Sequence, residues 1–116
     1  MNYESNLVYN QACRAFILDL KGVFYNIPDA KPTVDFKTLK AENALRFIIS
    51  TTSLHLLTSI GIRCFILFKD AAEKEGLEFH LLCNNDGIRN TMTDLSLHGL
   101  FSILRDLKEL PAVKPR

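Results

Sequence analysis

The chain has 116 residues, of which 47% are apolar and 23% charged, and its net charge is +1. That is the composition of one ordinary globular domain, long enough to bury roughly two-thirds of the surface its unfolded form exposes. Near-neutral charge leaves no footprint for nucleic acid or an anionic membrane, and no apolar run approaches the ~20 residues that span a bilayer.

The first residues, with Glu4 and several Asn, lack the basic stretch and apolar core of a secretory signal. Cys13, Cys64 and Cys83 are odd in number, have no C-x-x-C spacing and each fall in an apolar stretch. Buried free thiols in a reducing compartment, the cytoplasm, are the expectation.

Leu7-Val8-Tyr9 is a candidate for a short edge strand. From Cys13 to Tyr25 the pattern is extended, with Phe16, Leu18 and Leu20 alternating against Ile17, Asp19 and Lys21, and Gly22 marking a bulge. Pro28 and Pro32 break the next segment, Asp29 and Lys31 suggest a surface loop, and Val34, Phe36 and Leu39 anchor a short helix over Asp35 to Ala41. The run Ala44 to Thr52 is β-prone and too continuously apolar for a half-wet strand, which predicts a central parallel strand buried on both faces.

Leu57 to Gly76 is the stretch around which the rest is organised. Thr58 and Ser59 both suit an N-cap, Gly76 suits the left-handed closing position, and Gly61, Cys64, Phe65, Phe68, Ala71 and Ala72 recur at helical steps on one face. Lys69 with Glu73, and Asp70 with Lys74, are opposite charges four apart on the far side. Leu77 to Cys83 then reads as a strand with Phe79, Leu81 and Cys83 on one face, which completes a right-handed βαβ unit. Asn84-Asn85-Asp86-Gly87 makes a turn with Asp86 as N-cap, and Ile88, Met92 and Leu95 space a short helix. Leu100 to Leu104 predicts a last strand; Leu104, Leu107 and Leu110 suit a final helical turn before Pro111, and Ala112 to Arg116 a mobile tail. The expected architecture is a single α/β domain over 1–116, with a mixed sheet of four or five strands and helices mainly on one face.

No cofactor is expected, because neither G-x-x-x-x-G-K-S/T nor G-x-G-x-x-G is present. His55, His80 and His98 have no ligand spacing; His80 is placed on a sheet face and the other two in loops. Residue order alone supports no Ser-His-acid or Cys-His arrangement, so no enzyme is expected.

The order strand, junction, amphipathic helix, strand, with Thr58-Ser59-Ile60-Gly61-Ile62 at the junction, resembles the STAS domain family (sulphate transporter and anti-sigma factor antagonist). In that family the junction reads Asp-Ser-x-Gly. Ile88 to Phe101 is similar to the family's passage from short helix to last strand. The resemblance spans Arg46 to Leu110 and, more loosely, Ala15 to Val23. Two positions depart from it: Thr58 stands where the family has Asp, and Ser50 where a strand Asp is common.

The resemblance implies a non-enzymatic regulatory module, like an anti-sigma factor antagonist, that binds an anti-sigma factor or serine kinase and is switched by phosphorylation. Ser59 is the matching serine. A phosphate there would meet free first-turn N–H groups and Arg63 one helical turn on; the plainer account of Ser59 is a helix cap. Ile62 and Ile66 are read as an exposed apolar ridge flanked by Arg63 and Lys69, the plainer account being cover by the Pro28–Pro32 loop. Thr58, Ile62, Arg63, Ile66, Lys69 and, from the adjoining loop, Asn85 are thus the expected partner contacts. A homodimer is compatible with the sequence, and direct membrane insertion is not expected. The alternative function is a constitutive cytoplasmic adaptor subunit of a membrane transporter for lipid or anion, which needs the surface but not the phosphoryl switch.

Overall fold

The computed structural model describes residues 3–24 and 36–110. The loop expected around Pro28 and Pro32, Val34 and the tail from Ala112 lie outside those residues. Strand β1 (Tyr3–Asn10) runs antiparallel to β2 (Ala15–Phe24), which lies parallel to β3 (Arg46–Leu57); β4 (Glu78–Leu82) and β5 (Ile103–Leu104) follow in parallel, in the spatial order β1-β2-β3-β4-β5. This is the mixed five-stranded sheet expected of a STAS-like α/β domain.

The three helices among the described residues are α1 (Phe36–Ala41), α2 (Ser59–Lys74) and α3 (Asp86–Asp94). Their apolar sides and alternate strand residues form one core: Leu18, Phe47, Ile49, Phe79 and Leu81 from the sheet meet Phe36, Phe65, Phe68, Ile88 and Met92. Phe47 is its centre. Its ring stacks on Phe68 at 5.8 Å and receives the edge of Phe36 at 4.8 Å, arrangements that add to the burial term. A parallel strand buried on both faces needs this continuous apolar run, and residues Arg46 to Thr51 are all buried.

The α2 helix has both its boundaries for the reasons read in the sequence. Thr58, in extended conformation, accepts the Gly61 N–H at 3.1 Å on its hydroxyl. At the other end Gly76 takes φ +79°, with Gly76 N–H to Glu73 O and Leu77 N–H to Ala72 O at 3.0 Å, the paired bonds of a Schellman closure. Lys69 and Glu73 pair at 2.7 Å. Gly22, at φ +88°, sits at a register irregularity between β2 and β3.

Several expectations are corrected. The third strand does not stop at Thr52 but continues to Leu57, because β2 goes on pairing with it through Phe24; His55 therefore lies in a strand and not in a loop. The edge strand β1 is eight residues long, not three, since its whole length pairs with β2. Asn85, not Asp86, caps α3, and Leu95, placed in the core by spacing, follows the end of α3 and is exposed. Cys13 is half-exposed in the turn between β1 and β2, whereas Cys64 and Cys83 are buried free thiols. The last strand is confined to Ile103–Leu104.

Candidate functional site

The site is the junction of β3 and α2, where a strand emerging from the core turns into a capped helix. Beyond Ser50 no residue of β3 pairs with β4, so its last stretch to Leu57 is held within the sheet by β2 alone among the described residues. Thr58 makes the turn and Ser59 is the first helical residue. Arg63, one turn further on the same side of α2, is exposed. The first turn of α2 carries no carboxylate, so its positive dipole end is not neutralised there.

The loop after β4 is stitched to this region by side chains. Asn84 N–H donates to Thr52 Oγ1 at 3.1 Å, and the Asn85 amide donates to the carbonyls of Thr52 at 3.4 Å and Leu54 at 3.2 Å. The Asn85 oxygen accepts the Ile88 N–H at 3.2 Å. Every polar atom of that side chain is thereby engaged within the fold. The carboxyl edge of the parallel strands, where ligands of such sheets commonly lie, is braced by Asn85 before any partner arrives.

The apolar surface at the junction differs from the expected one. Ile62 and Ile66 are half-buried and pack against the core, so they do not form a free-standing ridge. The exposed pair is Leu56, with 52% of its surface accessible, and Ile60, with 53%. Leu56 comes from the last turn of the pleat and Ile60 from the first turn of α2, on either side of Thr58 and Ser59. Ile60 falls outside the spacing of the core stripe through Gly61, Cys64, Phe65 and Phe68, and that offset is its signal in the sequence; Leu56 has none, because it lies in the part of β3 beyond the continuous apolar run. Lys69 is half-exposed and already paired with Glu73. Burial pushes the Cys64 thiol above its ordinary range, opposed in part by the neighbouring Arg63 charge, which leaves it protonated and unreactive at neutral pH.

Among the described residues there is no gathering of three or more His, Cys, Asp or Glu of the kind that holds a metal, and no helix long and apolar enough to cross a membrane.

No family model matches the sequence, and no curated protein is similar to it. Among solved structures the chain is similar to the crystal structure of an anti-sigma factor antagonist from Mycobacterium paratuberculosis, with a TM-score of 0.63 over 93% of this chain and 90% of that one, at 12% identity. At that identity the likeness is one of fold: the chain has the fold of that anti-sigma factor antagonist, in keeping with the architecture that the strand–Thr-Ser-x-Gly–helix junction implied.

Proposed function

We propose that this protein is a non-enzymatic regulatory module of signal transduction that docks a protein partner at the β3–α2 junction, in the manner of an anti-sigma factor antagonist. The observation that carries the reading is the exposed Leu56–Ile60 pair on either side of Ser59, with exposed Arg63 one helical turn on. Exposed apolar side chains beside a charge and a modifiable hydroxyl suit a contact that forms and is released. The partner is an anti-sigma factor or serine kinase, and two buried free cysteines suit a cytoplasmic setting. Ser59 is the switch residue; Thr58, Ile62, Arg63, Ile66 and Lys69 border the contact, and Asn85 supports it from beneath.

Phosphate on Ser59 would be stabilised by the uncapped N–H groups of the first turn and by Arg63, so folding changes little. Its cost falls on docking, because a dianion beside Ile60 must lose its water when the partner arrives. Partner capture from native lysate, followed by intact-mass analysis after incubation with the captured kinase and ATP, tests this. One phosphate on Ser59, and weaker capture by Ser59→Asp than by Ser59→Ala, is the expected result. Thr58 in place of the family Asp favours a second reading, the constitutive transporter adaptor. Capture of a transporter ATP-binding subunit, with Ser59 unmodified, would establish that reading instead.

A further inference from the structure

A line of polar side chains crosses the face of the sheet opposite the helices. His80, pointing away from the core between Phe79 and Leu81, has its Nδ1 2.8 Å from Ser102 Oγ and its Nε2 3.1 Å from Glu78 Oε1. The same Glu78 oxygen lies 3.5 Å from Nε of Arg46, which is 4% exposed and also donates to the Cys13 carbonyl. Glu78 and His80 are two apart on β4 and share a face; Ser102 enters from the residue before β5, beyond the reach of any reading of residue order.

The directions of these bonds follow from the groups themselves. A carboxylate only accepts, so the Nε2 of a neutral ring carries the proton toward Glu78, and Nδ1 keeps its lone pair. The Ser102 hydroxyl must then donate to Nδ1. Arg46 on β3 lies against the same Glu78 oxygen and holds that side chain in place; among the described residues Glu78 is the charged group in hydrogen-bond contact with the ring. This is a nucleophile, a base and an orienting acid, each within hydrogen-bond reach of the next. A clasp that merely tied β4 to β5 would work as well buried, but Ser102 is exposed, so an electrophile can reach it. Its backbone is fixed by the Leu81 N–H to Ser102 O bond of 2.8 Å, and β5 is the edge of the described sheet, with one side free of any partner strand.

We propose that Ser102 is an activated nucleophile that accepts an acyl group from small activated esters or thioesters. Oγ attacks the acyl carbonyl carbon as its proton passes to His80 Nδ1. The carbonyl re-forms, the bond to the alkoxide or thiolate leaving group breaks, and the imidazolium returns the proton to that group. The products are O-acyl Ser102 and a free alcohol or thiol, with no change in oxidation state. The site lies on the far face of the sheet from α2 and does not depend on the docking reading.

The test is acylation of the full chain by p-nitrophenyl acetate, followed by intact mass and peptide mapping over a range of pH. A single acetyl group on Ser102 is expected, with the exposed serines Ser53 and Ser96 unmodified. Its rate should rise with pH through a single inflection. Ser102→Ala should abolish the adduct. His80→Gln should slow it by about a hundredfold or more, the range of general-base contributions, and remove the inflection. Glu78→Gln should slow it while leaving an inflection. The proposal fails if acetyl appears on lysines, cysteines or the N-terminus and not on Ser102, or if His80→Gln reacts at the wild-type rate with the same pH profile. Circular dichroism of each variant identifies a rate lost through unfolding, and Ser102→Ala, an exposed change, removes the adduct without that complication.

Discussion

The Asn85 side-chain amide donates to the Leu54 carbonyl at 3.2 Å, which ties the loop after β4 to the part of β3 that has already left β4 behind. The same side chain caps α3 through Ile88 N–H. Asn85→Ala therefore removes a cap and a brace together and should lower stability by about 1–3 kcal/mol in urea unfolding. Asn85→Asp keeps the capping oxygen but sets a carboxylate against two carbonyls, so it should recover only part of the loss. Full recovery by Asp would mean that the brace contributes nothing.

Thr58 provides the hydroxyl that holds the first turn of α2. Thr58→Ala should cost about 1 kcal/mol, and Thr58→Asp should restore or exceed wild-type stability, because a carboxylate both caps and complements the helix dipole. Thermal melts of the two variants decide this.

Ile60 and Ile66 separate docking from folding. Ile60→Asp, at an exposed position, should shift stability by less than about 0.5 kcal/mol and weaken partner capture. Ile66→Asp sets a charge against the core and should cost roughly 1–3 kcal/mol, whatever its effect on binding. Equal destabilisation by both would place Ile60 in the core and remove the proposed contact.

The raised Cys64 pKa has a definite sign in pH dependence. Burial keeps the folded thiol neutral at a pH where the unfolded thiol has begun to ionise, so the unfolded state binds fewer protons there. Stability is unaffected below the ordinary thiol value of 9.0 and falls as pH rises above it toward the folded value. Urea midpoints on either side of that pH should fall less in Cys64→Ala than in wild type. Identical slopes would assign the alkaline loss to other groups.

The parts of the fold that were legible are those whose signals are local. The Thr58 cap, the Gly76 closure and the stripe through Phe65 and Phe68 fall within one helix, and each can be read from spacing. The buried run through Phe47 to Ile49 likewise announces a central strand. The extension of β3 to Leu57 was not legible, because Thr52 to Leu57 looks like a loop until Lys21 to Phe24 is laid beside it. The packing of Ile62 and Ile66 is hidden from the sequence for a related reason: a helix seated on a broad, twisted sheet buries more than one stripe, and the wider contact takes in both isoleucines. The Ser102–His80–Glu78 line depends on the pairing of β4 with β5, a relation between residues that no spacing along the chain encodes.

The end of β3 that pairs with β2 but not with β4 has a consequence for how the site holds together in time. Its amides are tied to a single neighbouring strand, with a register irregularity at Gly22 beside them, while Phe47 to Ile49 are enclosed by strands on both sides. Local opening draws first on such thinly held segments. Backbone amides from Ser53 to Leu57 should therefore exchange with deuterium well before those of Phe47 to Ile49. A docked partner should slow that exchange most at Leu56 and least in the middle of β3, so protection factors along one strand would map where the partner sits.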